Sequence, residues 1–495
     1  MIKVFSAEQF RAWDAHTIQQ EPIASLDLME RACRAFTDWF IQVFPGHHKI
    51  AVVCGTGNNG GDGIGIARML HEHGYRMSVF IQKGKTESLD YLANRKRLPV
   101  AATELNYPLA PTVFDGYSVI IDALFGTGLS RPLEGNDVLL VNLINQSKAI
   151  RVAVDVPSGL LTDRATHGTT VHAHYTATFQ APKLAFLLPG SAHLVGQWTT
   201  LDIGLQEDYR KLQDTPYQIP TLKTIRKRVR PRNRFDHKGT FGHALLIAGS
   251  TGKAGAAVLA ARAALRAGVG LATAHTSESG RVIVQTAVPE AMVTYEAQQD
   301  YIATVPALER YDAIGIGPGL GQHASTKNAL SQVLENARQP LVLDADALNI
   351  MSDHTEMIAR VPKGTILTPH PKELERLVGS WKDDFERLEK QKTLALQLQS
   401  IVINKGAWSA IALPNGRVYF NPTGNPGMAT GGSGDVLTGI LTALLAQGYP
   451  PEDAALIGCY VHGLAGDLGA REKTEMGLIA GDLPDFLAAA WQRLA

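Results

Sequence analysis

Short apolar runs alternate with helical patterns along most of the chain. In the N-terminal part, these runs begin at Ile50, Met77, Val119 and Val152. Apolar runs of this length, separated by helices, are typical of buried parallel strands joined by crossover helices. The pattern therefore predicts an α/β domain over residues 1–205.

A second series of the same kind follows in the C-terminal part. It begins with HALLIAGS at His243, and further runs start at Asp312, Pro340 and Thr365. The series predicts a second α/β domain over residues 233–495. We expect both domains to be doubly wound, with helices on both faces of a mostly parallel sheet.

Several residues mark where helices should begin and end. Ser6 and Gln9 have the spacing of a capping box, and Ser25 is a plausible N-cap of a second helix. A third helix is predicted to begin near Gly63. Gly74 suits its C-terminal cap, because glycine adopts the left-handed conformation that often ends a helix.

The pattern breaks between the two series, over residues 206–232. Pro216, Pro220 and Pro231 interrupt this stretch, and basic residues crowd together between positions 223 and 234. A nucleic-acid site is one interpretation, but it would be expected to interleave aromatic side chains that stack on bases. These are missing, so we predict a solvated linker.

Composition limits the partners and the compartment. The chain has 495 residues, with 47 Lys and Arg against 47 Asp and Glu, so no overall charge favours nucleic acid or an anionic membrane. Cys33, Cys54 and Cys459 are scattered, which fits a reducing compartment. Nowhere do 18 apolar residues run together. We expect a soluble cytoplasmic protein with neither nucleic-acid nor membrane partners.

The first candidate binding motif is GTGNNGGDG, from Gly55 to Gly63. It contains G-x-G-x-x-G directly after an apolar run, the pattern of a dinucleotide-binding loop. The next predicted strand ends in FIQK, from Phe80 to Lys83, without the acidic residue that holds a ribose in NAD sites. At this point a nucleotide site of another kind and a tight turn without a ligand both remain open.

Polar side chains also follow two further predicted strands. Asp122 precedes a second glycine-containing loop, and Asp155 and Ser158 lie in VDVPSG. Because parallel sheets bind ligands at the carboxyl ends of their strands, these side chains and Asn59 are expected at one edge. Carboxylate, amide and hydroxyl oxygens suit a hard cation such as potassium or magnesium.

Three motifs in this order, GNNGGDG, DALFGTGL and DVPSG, resemble the YjeF N-terminal family, the NAD(P)H-hydrate epimerases. The resemblance covers about residues 1–205 and implies a Rossmann-like domain with a K⁺ ion on Asn59, Asp122 and Ser158. It also implies that Asp155 lies at the reacting ring. It assigns the substrate's nucleotide portion to Asn58, Asn59, Gly60, Gly61, Asp62, Gly126, Thr127, Gly128, Leu129, Ser130, Arg131 and Pro132. Cys33 stands where the family usually has glycine, and we expect it to affect helix packing only.

Epimerisation inverts the hydroxyl-bearing carbon of the hydrated nicotinamide ring. Our hypothesis is that the ring nitrogen expels the hydroxyl and that water returns on either face. Asp155 would act as general acid and base at the departing oxygen.

The strongest single motif is NPTGNPGMATGGSGDVLTG, from Asn421 to Gly439. Its glycines lead directly into a predicted helix whose first backbone amides can bind a transferring phosphoryl group. Asp435 lies in the first turn, where a carboxylate can accept the proton of an attacking hydroxyl. The alternative is that Asp435 only complements the helix dipole.

The G-x-G-D ending of this loop resembles the ribokinase-like superfamily. Together with KGTFG, GIGPGLG, DADALN, TPHPKE and NKGAWS, it resembles the NAD(P)H-hydrate dehydratases over about residues 233–495. The resemblance implies ADP as phosphoryl donor, with Mg²⁺. It places the hydrate on Ala256, Gly319, His370 and Asp435, and the nucleotide on Lys405, Gly406, Ala407, Trp408, Ser409 and Gly434. Lys372 and Trp408 depart from the family's usual residues and put fine contacts to the donor in doubt.

The two resemblances together imply a bifunctional repair enzyme for hydrated NADH and NADPH (NADHX and NADPHX). The first domain would interconvert the R and S hydrates, and the second would dehydrate the S form. A ribokinase-like small-molecule kinase fused to a nucleotide-binding domain is the main alternative, and a non-enzymatic scaffold in the N-terminal half is another. We also expect a homo-oligomer.

Overall fold

The computed structural model describes residues 1–46, 48–84, 86–297 and 300–495. These residues form two compact units. The N-terminal unit comprises Lys3–Thr215 and Asp383–Phe385, and the C-terminal unit comprises Met1–Ile2, Pro216–Lys382 and Glu386–Ala495. The domain limits proposed from sequence remain a prediction.

The first part of the chain consists of short strands and the helices that precede, connect and follow them. In order, these elements are β1 (Ile2–Val4), α1 (Ala7–Gln20), α2 (Ser25–Val43), β2 (Lys49–Cys54), α3 (Asn58–Glu72), β3 (Arg76–Ile81), α4 (Leu89–Arg97), β4 (Ala102–Glu104), β5 (Val119–Ala123), α5 (Asn136–Gln146), β6 (Ile150–Val154), β7 (Tyr175–Phe179), α6 (Ala192–Val195), β8 (Gln197–Leu201) and α7 (Glu207–Leu212).

The sheet of the N-terminal unit has the strand order β4-β3-β2-β5-β6-β7-β8 in the described residues. All its pairs are parallel. The chain proceeds from β2 to β4 in one direction and then continues from β5 to β8 on the other side of β2. This reversal confirms the predicted doubly wound topology, and the carboxyl ends of β2 and β5 flank the point where ligands bind in such sheets.

The second part of the chain repeats this architecture. Its elements are β9 (Tyr217–Ile219), α8 (Leu222–Arg226), β10 (His243–Ile247), α9 (Ala254–Arg266), β11 (Leu271–Ser277), α10 (Glu278–Ala287), β12 (Met292–Glu296), β13 (Ala313–Ile316), α11 (Thr326–Asn336), β14 (Leu341–Leu343), α12 (Asp346–Asp353), β15 (Ile366–Leu367), α13 (Pro371–Val378), α14 (Asp384–Leu398), β16 (Ile401–Asn404), β17 (Ala410–Ala412), β18 (Val418–Phe420), α15 (Ser433–Ala446), α16 (Pro451–Gly477) and α17 (Leu483–Leu494).

The second sheet has the order β1-β9-β18-β17-β16-β15-β14-β13-β10-β11-β12 among the described residues. The strands from β12 across to β16 pair in parallel. β17 and β18 extend this sheet by antiparallel pairing. The topology reverses between β10 and β13, so this unit is also doubly wound, as predicted.

The stretch 206–232 differs from the solvated linker expected there. It contains α7, β9 and α8, and β9 pairs in parallel with β18. Ile225 is fully buried, and Arg230 donates to the backbone carbonyl of Gly448 at 3.0 Å. From Pro216 onward the segment belongs to the C-terminal unit, and a basic side chain such as Arg230 attaches it to the rest of that unit.

Two of the predicted helix starts need correction. The Ser6–Gln9 capping box is confirmed, with both reciprocal hydrogen bonds present. However, α2 has Ala24 as its N-cap, and the Ser25 hydroxyl instead donates to Asp90 at 2.6 Å. α3 begins at Asn58 and not near Gly63, so most of the first glycine motif is already helical. In the described part of the chain, no helix is long and apolar enough to cross a membrane.

Candidate active sites

The glycines of the first motif allow α3 to start close to the strands beneath it. A Cβ on Gly60 would collide with the carbonyl of Gly55, and one on Gly63 would lie 2.5 Å from the Cβ of Ala123. Gly61 is similarly close to the sulfur of Met29. The motif thus brings the first turn of α3, and Asn59 in it, over the carboxyl ends of β2 and β5.

Asp122 and Ser158 meet at the carboxyl end of this sheet. Asp122 ends β5 and Ser158 follows β6, and both are completely buried. The Ser158 hydroxyl donates to Asp122 Oδ1 at 2.6 Å, and the Ser158 backbone N–H donates to Oδ2 at 2.8 Å. Burial raises the pKa of Asp122 to about 6, although these hydrogen bonds favour its ionised form. None of the causes of this shift is a cationic side chain.

Asn59 lies beside the second loop of the same edge. A Cβ on Gly126 would be 3.0 Å from Asn59 Oδ1, so the start of α3 and the loop after β5 are in close contact. The Asn59 Nδ2 atom is buried and has no hydrogen-bond partner in the described structure. A buried amide without a partner is costly, which indicates that this group is built to contact something else.

The rest of the loop after β5 is accessible to a ligand. Residues 126–132 are half-buried or exposed, and the loop closes with a hydrogen bond from Leu129 N to the Gly126 carbonyl at 3.1 Å. Among the described residues, the ion pair of Arg131 is with Glu134, at 3.4 Å between exposed side chains. Exposed ion pairs of this kind contribute little, so Arg131 is free to turn toward an anionic ligand.

Asp155 is held in a strained backbone conformation directly after β6. Its φ is +63°, the left-handed region that residues other than glycine rarely adopt. Oδ1 accepts hydrogen bonds from Thr178 Oγ1 at 3.0 Å and Phe179 N at 3.1 Å, and Lys183 Nζ lies 3.0 Å away. All three donors converge on one oxygen, which leaves Oδ2 available.

Lys183 is the first residue of this centre that the sequence analysis missed. It is 1% exposed, and its ammonium also donates to the carbonyls of Phe179 at 3.0 Å and Ala181 at 3.1 Å. The ring of Phe10 lies 4.0 Å from Nζ. The lysine inside the apolar run APKLAFLL was the signal that could have identified this residue, because buried lysines are nearly always paired.

The charge of Asp155 also affects the pKa of two further carboxyl groups. Burial, and then the charge of Asp155, raise the pKa of Asp14 on α1 to about 7, while Lys183 opposes the shift. Burial, followed by Asp155 and Asp14, also holds the pKa of Asp62 on α3 well above its usual range. The charge of Asp155 therefore affects both Asp14 and Asp62, whereas Lys183 is in direct contact with Asp155.

In the C-terminal unit, the second glycine motif forms the start of α15 as predicted. Gly432 is the N-cap with φ of +98°, and Asp435 lies in the first turn. Burial, and then the charge of Asp344, raise the pKa of Asp435 to about 7, while Lys405 opposes the shift. Asp435 is half-buried and receives no hydrogen bond from the described residues, so its carboxylate is available to a substrate.

Asp344 was not assigned a role from the sequence, yet it organises this centre. It follows β14, is 1% exposed, and accepts a hydrogen bond from Lys405 Nζ at 2.7 Å. Its other oxygen accepts one from Thr438 Oγ1 on α15 at 2.7 Å. Burial alone would lower the pKa of Lys405, but Asp344 and then Glu373 raise it. Asp344 thus connects the predicted nucleotide-binding lysine to the helix that carries Asp435.

His370 caps α13 at the edge of the same cluster. Its Nδ1 accepts from the backbone N–H of Lys372 at 3.1 Å, and its Nε2 lies 3.2 Å from Glu373 Oε1. Burial lowers the pKa of His370, and the Glu373 carboxylate acts in the opposite direction. Since Glu373 Oε2 is 3.9 Å from Lys405 Nζ, His370 belongs to the same set of charges as the predicted nucleotide-binding lysine.

The loops that follow β10 and β13 meet at the reversal point of the sheet. Gly319 has φ of +54°, and a Cβ there would lie 2.9 Å from the Cβ of Ala256. Ser250 N donates to the Gly319 carbonyl at 2.7 Å. The structure therefore brings together the two small residues predicted to contact the hydrate.

The predicted nucleotide-binding turn at 405–409 is compact. Ser409 Oγ donates to the Gly406 carbonyl at 2.8 Å, and Trp408 has φ of +54°. A Cβ on Gly434 would lie 3.3 Å from Lys405 Nζ. The two ends of the predicted nucleotide site are thus in contact, whereas Gly406 and Ala407 are exposed.

Neither centre contains a conventional cluster of metal-ligating side chains among the described residues. In the described part of the chain, no group of three or more His, Cys, Asp or Glu side chains could hold a metal ion. Any cation at the N-terminal centre would therefore depend on amide and hydroxyl oxygens besides the single carboxylate of Asp122.

Comparison with known proteins matches both units. Residues 244–488 match the family described as NAD(P)H-hydrate dehydratase, and residues 25–185 match the family described as YjeF-related protein N-terminus. A ribokinase-like superfamily protein from Enterococcus faecalis superposes with a TM-score of 0.50 at 27% identity, covering 57% of this chain and 98% of that chain. The C-terminal unit thus has the predicted ribokinase-like fold.

Relatives that match nearly the whole chain are named as bifunctional repair enzymes. The bifunctional NAD(P)H-hydrate repair enzyme Nnr of Moorella thermoacetica is 37% identical over 487 residues, covering 94% of this chain and 92% of that relative. The protein of the same name from Escherichia coli is 34% identical over 489 residues, covering 97% and 92%. The chain therefore belongs to the family of bifunctional NAD(P)H-hydrate repair enzymes.

Proposed function

We propose that the N-terminal unit interconverts the R and S hydrates of NADH and NADPH, and that the C-terminal unit dehydrates the S form with ADP, giving AMP and phosphate. One observation carries the proposal: each unit places an available aspartate oxygen, on Asp155 or Asp435, at the carboxyl edge of its sheet beside a glycine-rich helix start. A stereospecific dehydratase would leave the other epimer unrepaired, so the two activities belong together.

In the epimerase centre, we assign the proton transfer to Asp155. The ring nitrogen's lone pair forms a carbon–nitrogen double bond while the carbon–oxygen bond breaks, and the oxygen takes a proton and leaves as water. Water then adds to either face and returns a proton. Asp155 Oδ2 suits this exchange, because Oδ1 is already engaged by three donors that fix the orientation of the carboxyl group.

The substrate's nucleotide portion is assigned to the start of α3, over residues 58–62, and to the loop at 126–132. The helix start offers backbone N–H groups and the positive end of the helix dipole to a pyrophosphate. Arg131 is held only by one exposed ion pair and can supply positive charge. We assign the remaining residues of these two segments to binding the same part of the substrate, for the same reason.

The residues Asn59, Asp122 and Ser158 fit a potassium ion. Asp122 is a completely buried acid whose only described partners are Ser158 and Leu124, so its charge lacks a compensating cation. The Asn59 Nδ2 atom is buried without a hydrogen-bond partner in the described structure, next to Gly126 of the loop after β5. The oxygen and nitrogen of such an amide are interchangeable assignments. When bound, potassium would neutralise Asp122 and order the loops around the substrate.

In the dehydratase centre, Asp435 is assigned as the base that accepts the proton of the ring hydroxyl. The oxygen of that hydroxyl attacks the terminal phosphorus of the nucleotide, and the first amides of α15 stabilise the transferring group. Phosphate then leaves with the electron pair of the carbon–oxygen bond, because it is a far better leaving group than hydroxide. The ring loses the adjacent C–H proton and is restored to the dihydronicotinamide.

The remaining residues of this centre bind the two substrates. Lys405 and Gly434 are in contact and, with residues 406–409, would hold the nucleotide phosphates. Ala256, Gly319 and His370 would contact the hydrate. Mg²⁺ is expected with ADP, where it would neutralise phosphate charge. Because the described residues lack three grouped metal-ligating side chains, the ion would be held largely by the nucleotide and water.

The test uses the full chain and separately prepared S and R hydrates. With the S hydrate, Mg²⁺ and ADP, the absorbance of the dihydronicotinamide should return, and AMP and phosphate should appear in equal amounts. With the R hydrate, recovery should require the N-terminal unit and should become about 10²-fold slower or more in Asp155→Ala. A phosphorylated product that accumulates without restored NADH would contradict the proposal, as would equal recovery of R in Asp155→Ala after subtraction of spontaneous epimerisation.

A further inference from the structure

His462 lies on α16 and belongs to none of the motifs that the sequence analysis used. Its Nε2 atom is 3.0 Å from the backbone carbonyl of Ser433, the first residue of α15. A carbonyl oxygen can only accept a hydrogen bond, so Nε2 carries the hydrogen and donates it. Burial lowers the pKa of His462 to about 4, so the ring is uncharged near neutral pH and acts as a neutral donor.

Helix α16 is fixed against the glycine-rich segment that leads into α15. Thr423 Oγ1 donates to the backbone carbonyl of Tyr460 at 2.9 Å. Further along the helix, the Asp467 carboxylate accepts from the backbone N–H of Gly424 at 3.1 Å. These contacts lie before and after His462 on α16, so the imidazole is held in a fixed position relative to the segment.

The first backbone amides of α15 are available to a ligand. Among the described residues, the N–H groups of Gly434 and Asp435 donate to no acceptor. Gly434 also lies against the predicted nucleotide-binding lysine, since a Cβ there would be 3.3 Å from Lys405 Nζ. In the proposed mechanism, the Gly434 N–H is therefore one of the donors to the transferring phosphoryl group.

A single peptide unit joins the His462 contact to this donor. The carbonyl of Ser433 and the N–H of Gly434 belong to the same planar unit, and in a trans peptide they point in opposite directions. A donor that holds the carbonyl in place therefore also sets the direction of the N–H. Hydrogen bonds in such a chain polarise one another, so donation to the carbonyl also makes the N–H a stronger donor.

We propose that His462 is a positioning residue for phosphoryl transfer, because its bond to the Ser433 carbonyl directs the Gly434 N–H at the transferring group. The inference rests on the proposed dehydratase function. The oxygen of the ring hydroxyl bonds to phosphorus, and the bond between phosphorus and the AMP oxygen breaks, with its electron pair leaving on AMP. Asp435 takes the hydroxyl proton. His462 neither gains nor loses a proton in this step.

The experiment compares His462→Gln with His462→Asn in the dehydration of S hydrate with ADP and Mg²⁺. Glutamine places an amide nitrogen close to the position of the histidine Nε2, whereas asparagine is one methylene shorter and does not reach the Ser433 carbonyl. Loss of a direct donor to a developing anion costs about 10²–10³-fold in kcat, and a misdirected donor costs less, so we expect a fall of about tenfold in His462→Asn. His462→Gln should retain most of the parent kcat, and the KM for ADP should change little in either variant.

A second measurement and a control separate this role from a structural one. AMP formation in a single turnover reports phosphoryl transfer itself and should slow in His462→Asn by the same factor as kcat. Thr442→Val is the matched control, because it removes another side-chain donor to a backbone carbonyl of α15, that of Thr438 at 2.7 Å. It should leave both rates unchanged. All variants are compared at a temperature at which thermal unfolding shows that each is folded.

Equal kcat values in His462→Asn and His462→Gln would overturn the inference. A higher KM for ADP with unchanged kcat would do so as well, because His462 would then act on nucleotide binding and not on the transferring group. A loss of kcat without slower single-turnover AMP formation would have the same meaning. A parent enzyme that does not restore the dihydronicotinamide from S hydrate and ADP would instead contradict the proposed function itself.

Discussion

Both centres place a lysine beside acids, but the lysine has a different partner in each. In the N-terminal unit, Lys183 lies 3.0 Å from Asp155, the proposed catalytic acid itself. In the C-terminal unit, Lys405 is engaged by Asp344 at 2.7 Å, and Asp435 receives no hydrogen bond from the described residues. In the first centre, the lysine pairs with the proposed reacting acid itself. In the second centre, the lysine pairs with Asp344, which is a different acid from the proposed base.

This difference has a chemical consequence. In the proposed mechanism, Asp155 passes a proton in both directions, and the Lys183 ammonium lies where it can balance a negative charge on that carboxyl group. The proposed role of Asp435 is only to accept a proton from a hydroxyl. Burial and Asp344 raise its pKa to about 7, which makes it a stronger base than an ordinary carboxylate. We therefore expect the partner of the lysine to influence which kind of proton transfer each centre supports.

The largest effect is expected for Asp435→Asn. Without the base, dehydration of S hydrate with ADP should slow by about 10²–10⁴-fold, whereas epimerisation should continue. Both rates are measured on the same preparation. If dehydration retained more than a tenth of its rate, Asp435 would only complement the helix dipole, and the contrast between the centres would be lost.

Asp344→Asn should mainly destabilise the C-terminal unit. It removes the charge that balances Lys405, and losing one partner of a buried ion pair costs about 3 kcal/mol. We take the lower end of the measured range, because the Lys405 side chain is 22% exposed. Denaturant unfolding measures this loss. Lys405 should also turn to Asp435 and lower its pKa, which moves the acidic limb of the dehydration profile to lower pH.

The control for this variant is Asp353→Asn, at an exposed position at the end of α12. It should leave both stability and the pH profile unchanged. If Asp344→Asn were as stable as this control, Asp344 would not be the partner that holds the charge of Lys405.

Ser158→Ala should have a moderate effect on the N-terminal unit. It removes the hydroxyl that donates to Asp122 at 2.6 Å, and a buried acceptor that loses a partner costs about 1–3 kcal/mol. If potassium binds at this position, the variant should also need more potassium for half-maximal epimerisation. Thermal unfolding with KCl, compared with choline chloride at equal ionic strength, tests both points. Identical unfolding of parent and variant in the two salts would contradict the cation site.

The smallest effect is the pH dependence of the parent dehydratase. Asp435 accepts a proton only when it is ionised, so the rate should rise with pH and level off above about 7. Below that value, each unit of pH should lower the rate about tenfold, because the ionised fraction falls by that factor. A dehydration rate that stayed constant below about pH 7 would contradict the assignment of Asp435 as the base.

The predicted strands show what periodicity can identify. The runs from Ile50, Val119 and Val152 became β2, β5 and β6, because a parallel strand that is covered on both faces is apolar throughout. β7 was missed, since its sequence YTATF alternates with threonine. Thr176 and Thr178 are nevertheless buried, because their hydroxyls donate to the Val195 carbonyl and to Asp155. Such compensation by distant residues is invisible to a local pattern.

The segment 206–232 is a second case in which distant partners decide the structure and local composition does not reveal them. Its prolines and basic residues indicated a solvated linker, and its local composition gave no sign of a strand. In the structure, basic side chains of this segment form hydrogen bonds with distant residues. Arg230, for example, donates to the backbone carbonyl of Gly448. β9 then joins the sheet beside β18, a strand about two hundred residues later in the chain.

The amino-acid sequence by itself determined the two α/β domains, the family and the motif residues. Each of these depends on local spacing or on short motifs that occur in a fixed order. Only the tertiary structure decided which charges meet. Lys183, Asp14 and Asp344 belong to none of the roles assigned from sequence. Yet Lys183 pairs with Asp155, and the charges of Asp155 and Asp344 act with burial to raise the pKa of Asp14 and Asp435, respectively. Burial and charge act through space, so residues far apart in the chain set the proton affinity of each centre.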